Sequence, residues 1–390
     1  MIPYGKHHIV EEDIQAVVDV LRSGALTQGH AVEAFEQAIA NYVGAKFAIA
    51  VSSGTAALHL AAMVAGVGPG KSLITSPITF VASANAALYA GGQVAFADID
   101  PHTVNMSPDA LKGALTRNPG TRAVIPVHFA GLPCDMVAIK SIADQAGAVV
   151  IEDAAHALGA QYPGGQRVGS CAHSRMTIFS FHPVKAIAAG EGGMITTNDE
   201  AVYRRLLRLR SHGINKLDDP LQLPEQAETN GVRDPWYYEM QELGFHYRIT
   251  DMQCGLALSQ LKKLDKFIAR RLALVKRYDR TFSGMQNCRP AQTTRRDQSG
   301  HHLYVLRIDF DSIGLSRGQL MQELRSREIG SQVHYIPVPA HPHYRKLGHS
   351  PEDYPHAQKY YQEALSIPLF YDLTDEQQDQ VIFAIQELVG

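Results

Sequence analysis

The sequence lacks several features that indicate particular classes of protein. Its 390 residues contain no Cys-x-x-Cys pair and only four widely spaced cysteines, Cys134, Cys171, Cys254 and Cys288, which argues against a disulfide or zinc framework. No apolar run is long enough to span a bilayer, and the N-terminal residues have no apolar leader. The 36 basic and 39 acidic residues give a net charge of −3, which provides no electrostatic basis for binding nucleic acid or an anionic membrane. These absences predict a soluble cytoplasmic protein that binds neither.

Two nucleotide-binding signatures and a metal signature are also missing. Gly68-Pro-Gly-Lys-Ser72 resembles the end of a Walker A loop, but Ala65 stands at the first glycine position and the segment precedes a strand instead of following one. No Gly-x-Gly-x-x-Gly follows a first strand, which argues against a Rossmann dehydrogenase or a sugar epimerase. The clustered C-terminal histidines have no helical ligand spacing and no acidic neighbours, so we predict no metal site; they are His301, His302, His334, His341 and His343.

The sequence does contain a regular alternation of strand and helix patterns. This alternation indicates an α/β fold with a mostly parallel sheet covered on both faces. Strands are predicted at 47–51, 72–76, 94–98, 123–127, 149–153, 176–181 and 194–197, and helices at 11–23, 30–43, 52–65, 78–90, 108–115 and 135–146.

The pattern changes near residue 249. A polar loop is predicted at 218–236, one long helix at 250–282, strands at 303–310 and 332–336, and a helix at 317–327. We therefore predict a large domain, residues 1–248, and a smaller C-terminal α+β domain, residues 249–390. The N-terminal segment either belongs to the large domain or packs on the small one.

The segment around Lys185 gives the first indication of chemistry. An apolar run, 176–181, leads through a proline-containing turn to Lys185, and a glycine-rich turn, 190–193, follows. Ligand sites in α/β sheets lie at such strand ends. A lysine in an apolar pocket loses proton affinity, and its neutral amine can attack a carbonyl group. The alternative is an ordinary surface lysine on a loop.

Two other strand ends carry residues that could complete a pocket. Asp153 ends an apolar strand, where a buried carboxylate needs a cation or a strong donor, unless it caps a helix. Gly54 lies in a Ser/Gly/Thr turn before a helix; such a turn is either a phosphate site or an ordinary N-cap. Phe80 is either a core residue or a platform for a flat ring. Together these positions predict one pocket with an amine, a carboxylate and an anion-binding turn.

Several segments together resemble the sugar aminotransferases of the DegT/DnrJ/EryC1/StrS family, which have the fold type I architecture of pyridoxal 5'-phosphate (PLP) enzymes. The resemblance covers nearly the whole chain. It rests on segments that occur in the family order: Leu26-Thr-Gln-Gly29, Ser53-Gly-Thr-Ala-Ala-Leu58, Thr79-Phe-Val-Ala-Ser-Ala-Asn85, Glu152-Asp-Ala-Ala-His-Ala-Leu-Gly159, Phe179-Ser-Phe-His-Pro-Val-Lys185, Glu191-Gly-Gly193 and Gln332-Val-His-Tyr335.

Within that family the chain resembles the transaminases of pseudaminic acid biosynthesis. The subgroup similarity rests on His156, on Ser180-Phe-His182, on Ser211-His-Gly213 and on residues 332–335. It implies transamination of UDP-4-keto-6-deoxy-N-acetyl-β-L-altrosamine, with L-glutamate as the amino donor. The alternatives are an aminotransferase for another UDP- or dTDP-4-keto hexose, a PLP sugar dehydratase of the same fold, and a non-catalytic PLP-binding homologue. The dehydratases carry histidine in place of the lysine, so Lys185 argues against them.

The resemblance also implies roles for individual residues. Lys185 would hold PLP as a Schiff base and then transfer protons, and Asp153 would pair with the pyridinium nitrogen. The rest of the cofactor site would consist of His156, Ser180, Gly54, Thr55 and Phe80. The nucleotide-sugar site would contain Tyr4, Gly24, Ala25, Leu26, Thr27, Gln332, Val333, His334 and Tyr335.

One position departs from the family pattern. The family motif is Gly-x-Asn-x-Arg, and its asparagine reaches the cofactor phosphate in the active site of the partner subunit. Here Gly244-Phe-His-Tyr-Arg248 places His246 at the asparagine position. A histidine can still donate a hydrogen bond to a phosphate, and more strongly when it is protonated. The resemblance therefore implies a homodimer with shared active sites in which His246 binds phosphate.

Overall fold

The computed structural model describes residues 1–215 and 219–390. Seven strands form its central sheet: β1 (Phe47–Val51), β2 (Ser72–Thr75), β3 (Gln93–Phe96), β4 (Thr121–Ile125), β5 (Val149–Asp153), β6 (Met176–Ser180) and β7 (Gly193–Thr197). Their order across the sheet is β1-β7-β6-β5-β4-β2-β3. Strands β2 to β6 pair in parallel, and only β7 runs antiparallel to its two neighbours, β6 and β1. The predicted mostly parallel sheet is confirmed.

Helices cover both faces of this sheet, because its strands are apolar on both sides. In β1, Ala48 and Ala50 face one core, and Ile49 and Val51 face the other. The helices of the first 261 residues are α1 (Glu11–Arg22), α2 (His30–Val43), α3 (Gly54–Val64), α4 (Val81–Tyr89), α5 (Pro108–Arg117), α6 (Met136–Gln145), α7 (Glu200–Arg210) and α8 (Asp251–Leu261). Helices α2, α5, α6 and α8 pack on one face, and α3, α4 and α7 pack on the other.

A small antiparallel sheet forms a second layered unit towards the C-terminus. A hairpin of two short strands, β8 (Glu228–Thr229) and β9 (Val232–Arg233), precedes it in the chain. The sheet itself contains β10 (Cys288–Pro290), β11 (Tyr304–Ile308) and β12 (Ala364–Ile367). The remaining helices are α9 (Leu264–Phe282), α10 (Phe310–Ile313), α11 (Arg317–Ser326), α12 (Pro342–Lys346), α13 (Pro355–Glu363) and α14 (Asp375–Val389). Side chains of α9, α11 and α14 cover this sheet in a separate core. The predicted α+β architecture of the smaller C-terminal domain is confirmed.

The predicted domain boundary concerns the segments that join the large unit, which is the central sheet with its helices, to the small unit, which is the C-terminal sheet with its helices. Ile2 is buried in the core of the small unit, and its N–H donates to the carbonyl of Glu328 at 2.7 Å. Helix α8 packs on α1 and α2 in the large unit, whereas the C-terminal half of α9 packs on the small sheet. The division after Arg248 stays a prediction.

Three sequence predictions need correction. The long helix at 250–282 is two helices, α8 and α9, because the chain turns at Lys262 and Lys263 to pass from one core to the other. The strand at 332–336 is wrong: these residues have only one ladder contact, between Gln332 and Ser366, and the third strand of the small sheet is β12. The loop at 218–236 contains the β8–β9 hairpin; its position 218 lies outside the described residues. In the described part of the chain, no helix is both long and apolar enough to cross a bilayer.

Candidate active site

A cavity of about 440 Å³ opens at the carboxyl ends of β5 and β6. Parallel sheets place ligands at this edge, because the loops that leave the strands there converge on one point. Ten of the predicted site residues line the cavity: Tyr4, Gly54, Thr55, Phe80, Asp153, His156, Ser180, Lys185, His334 and Tyr335.

Lys185 lies in the turn that follows β6. Its backbone N–H donates to the carbonyl of His182 at 2.8 Å, which holds the turn, and its side chain reaches solvent only in part. Dense protein around the ammonium lowers the pKa of Lys185 from its usual value to about 8, although the negative charge of Asp153 opposes the change. Lys185 is therefore a cavity residue with a readily deprotonated amine and not an ordinary surface lysine.

Asp153 ends β5 as a buried carboxylate, with 5% of the residue exposed. Its Oδ2 accepts a hydrogen bond from Ser83 Oγ at 2.6 Å, and its Oδ1 accepts one from the backbone N–H of Ala155 at 3.1 Å. The chain after Asp153 forms turns and not a helix, so the helix-cap alternative does not apply. These donors stabilise a negative charge beside the cavity.

The turn before α3 is an N-cap that also leaves backbone N–H groups free to bind a ligand. Ser53 Oγ accepts from the backbone N–H of Ala56 at 3.1 Å, which is ordinary capping. Within the described residues, the N–H groups of Gly54 and Thr55 donate to no protein acceptor. A Cβ at position 54 would lie 2.9 Å from Ser180 Cβ, so glycine is needed for the start of α3 to lie against β6. These free N–H groups, beside the hydroxyl groups of Thr55 and Ser180, form a cradle with the chemistry to accept an anion.

Aromatic side chains form much of the remaining wall. Phe80 is 60% exposed at the start of α4, so it is a cavity residue and not part of the core. The His156 ring lies 4.2 Å from the ring of His302, and its Nε2 lies 3.1 Å from the Tyr335 hydroxyl. Burial, reinforced by the charges of Lys185 and His334, holds the pKa of His156 well below its usual range, so this imidazole is neutral.

The structure places the other predicted site residues outside this cavity. His246 is exposed beside His212, with ring centroids 5.4 Å apart. The loop 24–27 is mostly exposed, and Thr27 pairs with Thr250 near the start of α8. Gln332 and Val333 precede His334 but do not line the cavity. The residues concerned are Gly24, Ala25, Leu26, Thr27, His246, Gln332 and Val333, and their roles stay predictions.

Sequence reasoning missed several residues of the site. Ser83 donates a hydrogen bond to Asp153, and the His302 ring lies against that of His156 at a tilt of 36°. Neither Ser83 nor His302 was predicted as a site residue. The available signal for Ser83 was a hydroxyl group within an alanine-rich helix that packs on the sheet. His182 and Glu191 are exposed and line the cavity. The sequence alone had assigned no site role to His182.

The family model for the DegT/DnrJ/EryC1/StrS aminotransferase family matches residues 7–386. Among known proteins, the chain is 40% identical over 390 residues to the spore coat polysaccharide biosynthesis protein SpsC of Bacillus subtilis (strain 168). That match covers 100% of this chain and 97% of SpsC.

Two solved structures show the same similarity in three dimensions. Spr1654 from Streptococcus pneumoniae, in its PMP form, is 31% identical with a TM-score of 0.89 and covers 100% of this chain and 99% of its own. Its PLP form matches with a TM-score of 0.88. Helicobacter pylori PseC, an aminotransferase involved in the biosynthesis of pseudoaminic acid, is 27% identical with a TM-score of 0.88 and the same two coverages, 100% and 99%.

Proposed function

Because the chain belongs to the DegT/DnrJ/EryC1/StrS aminotransferase family, we propose that this PLP-dependent sugar aminotransferase acts on a nucleotide-linked 4-keto-6-deoxy sugar, with L-glutamate as the amino donor. One observation carries the proposal. The Lys185 amine, the Asp153 carboxylate and the cradle at the start of α3 converge on a single cavity. Each of these groups is suited to a different part of PLP.

The residues present fit the cofactor. The N–H groups at Gly54 and Thr55, with the Ser180 hydroxyl, are suited to its phosphate, and the close approach of Gly54 to Ser180 keeps that cradle compact. Asp153 is suited to the pyridine nitrogen because it is a buried, hydrogen-bonded carboxylate. Phe80 offers an exposed ring face.

When bound, PLP supplies an aldehyde that reacts with amines and a ring that accepts electrons. Lys185 would hold the cofactor through its amine. Lys185 Nζ would also be the base that takes the proton from the α-carbon of the donor and the acid that gives a proton to the sugar C4. The neutral His156 can donate one hydrogen bond to the phenolic oxygen of the cofactor without bringing a second positive charge close to Lys185.

The sugar site lies on the side of the cavity formed by the N-terminus and the small unit. Tyr4, His334 and Tyr335 line the cavity there, and the ring centroids of Tyr4 and His334 lie 5.5 Å apart. Ser366 Oγ lies 2.8 Å from His334 Nδ1 and fixes that ring. We assign the loop 24–27 and residues 332–333 to outer contacts with the nucleotide.

We propose UDP-4-keto-6-deoxy-N-acetyl-β-L-altrosamine as the sugar substrate. The support is the full-length similarity to PseC and the residues shared with that subgroup. The second candidate is another UDP- or dTDP-4-keto hexose. Its support is that the identity to SpsC, a protein of spore coat polysaccharide biosynthesis, is 40%, whereas the identity to PseC is 27%. The presence of Lys185 at the cavity argues against both a sugar dehydratase and a non-catalytic homologue.

The test is a panel of UDP- and dTDP-4-keto sugars with glutamate labelled in its amino nitrogen. Mass spectrometry of the nucleotide-sugar product would show transfer of the label. We expect amination of the altrosamine derivative above all others. Equal or better amination of a different 4-keto hexose would select the second candidate, and absence of labelled product from every sugar would refute the proposed combination of a nucleotide-linked 4-keto sugar with glutamate.

The depressed pKa of Lys185 predicts how cofactor uptake depends on pH. Only the neutral amine attacks an aldehyde, so the rate of PLP capture by cofactor-free protein should rise with pH and level off above about 8. Below that pH the rate should fall about tenfold per unit, because the amine becomes protonated. Stopped-flow absorbance would measure the rate, with N-acetyl-lysine as the control amine. If the midpoint of the pH–rate curve lay near the pKa of an ordinary lysine, the lowered pKa of Lys185 would be wrong.

We further propose a homodimer with shared active sites. His246 is exposed and lies outside the cavity of its own chain, as expected if it serves the neighbouring one. Hydrogen bonds hold the preceding segment 219–243 together: the Glu239 carboxylate accepts hydrogen bonds from the backbone N–H groups of Gln222 and Leu223 at 2.7 and 2.8 Å. It exposes large apolar side chains that a second copy could cover: Val232, Trp236, Tyr238, Met240 and Leu243.

Trp236 provides a direct test of that contact, because it is the only tryptophan and is 72% exposed in the single chain. In a dimer that covers this segment, its emission should be shifted to shorter wavelength and should move to longer wavelength on dilution. Analytical ultracentrifugation at the same concentrations would report the oligomeric state. A dimer whose tryptophan stays fully solvated would show that another surface forms the contact.

A further inference from the structure

In the cavity wall, two buried hydroxyl groups form a chain that ends on Asp153. Thr79 Oγ1 and Ser83 Oγ are 2.8 Å apart, and Ser83 Oγ lies 2.6 Å from Asp153 Oδ2. Thr79 and Ser83 are 2% and 1% exposed. Ser83 lies in the first turn of α4, and Thr79 immediately precedes Phe80, the extended N-cap residue of that helix.

The direction of these hydrogen bonds follows from donor and acceptor capacity. An ionised carboxylate only accepts, so the Ser83 hydroxyl must give its proton to Asp153. The oxygen of Ser83 is then free to accept, and the Thr79 hydroxyl is the neighbouring donor. The proton order is therefore Thr79 to Ser83 to Asp153. Each bond polarises the next, so Thr79 strengthens the hydrogen bond that Ser83 donates.

We propose that Ser83 and Thr79 are positioning residues that orient the Asp153 carboxylate and stabilise its negative charge, and so set how tightly the pyridine ring of PLP is held. This inference rests on the proposed role of Asp153. The carboxylate is buried, and a buried charge is costly unless strong donors satisfy it. Ala155 N–H satisfies only Oδ1, so Ser83 is the donor described at Oδ2.

The test compares Ser83→Ala and Thr79→Val in the PLP-loaded enzyme. We expect Ser83→Ala to weaken PLP binding about tenfold, the size of one hydrogen bond to a charged group, and Thr79→Val to weaken it about threefold. In both variants the pH dependence of the visible absorbance of the bound cofactor should shift. Valine keeps the shape of threonine, so Thr79→Val should fold normally and can still test the inference if Ser83→Ala folds poorly. Thr197→Val is the control, because its buried hydroxyl bonds instead to the Arg175 carbonyl at 2.8 Å.

A double-mutant cycle separates this inference from the role of Asp153. If Ser83 acts through Asp153, Ser83→Ala should add little to the loss of PLP affinity caused by Asp153→Asn. Full additivity, or a Ser83→Ala variant with unchanged PLP affinity and absorbance profile, would overturn the inference while Asp153 keeps its role. If Asp153→Asn itself leaves PLP binding and turnover unchanged, the proposed role of Asp153 fails instead.

Discussion

Replacement of Lys185 by alanine is expected to reduce turnover by at least about a thousandfold. The variant would lose both the amine that we propose holds the cofactor and the base that we propose moves protons, and positioned proton transfer alone contributes roughly 10²- to 10⁴-fold. Because Lys185 faces the cavity and makes no described salt bridge within residues 1–215 and 219–390, its removal should leave the fold intact. PLP should still bind through the cradle and Asp153, but without covalent attachment.

Turnover, retention of PLP and rescue by added amines are the three measurements that check this expectation. Turnover is assayed with glutamate and the preferred 4-keto sugar, and gel filtration with absorbance shows whether PLP stays on the protein. The control is Lys46→Ala, which removes an exposed lysine at the start of β1 and should behave as wild type. Small primary amines added to Lys185→Ala should restore part of the turnover, because they can enter the vacated space and carry the proton. Turnover near the wild-type rate without added amine would move the chemistry to another residue.

The fold was predictable wherever the chain is buried on both sides. Strands β1 and β5 fall at their predicted bounds because each contains a short apolar run between helices, which has few other structures available. The errors lie where tertiary packing overrides a local pattern. Residues 332–336 have strand-like composition, but the neighbouring ladder positions in the small sheet go to β12. The turn between α8 and α9 carries no glycine or proline, so its cause is the passage between two cores.

The site was predictable to the extent that strand ends define it. Lys185, Asp153 and Gly54 each follow or end a strand, and parallel topology brings such ends together. Ser83 was not predictable in the same way, because its contact with Asp153 spans 70 residues and depends on how α4 lies against the sheet. The assignment of Phe80 was also open from sequence, since an aromatic residue at a helix start packs inward or outward according to its neighbours.

The Asp153→Asn variant should lower turnover by about a hundred- to a thousandfold, the range found when one charge-stabilising group is removed from an active site. Asparagine has the shape of aspartate but no negative charge, so the pyridine nitrogen would lose the partner that we propose keeps it protonated. The fold should survive with a modest penalty. One carboxylate oxygen becomes an NH₂ group, which leaves either Ser83 or the Ala155 N–H without its acceptor, at a cost of about 1–3 kcal/mol in the free energy of unfolding.

Single-turnover kinetics with glutamate alone should locate the defect of Asp153→Asn in proton removal from the donor and not in sugar binding. The matched control is Glu191→Gln, which makes the same carboxylate-to-amide change in an exposed residue of the same cavity. Glu191 makes no described contact with Asp153, and its charge is screened by solvent, so this control should change the rate by no more than about threefold. Equal losses in the two variants would mean that the cavity responds to net charge, and that Asp153 has no specific partner in the cofactor ring.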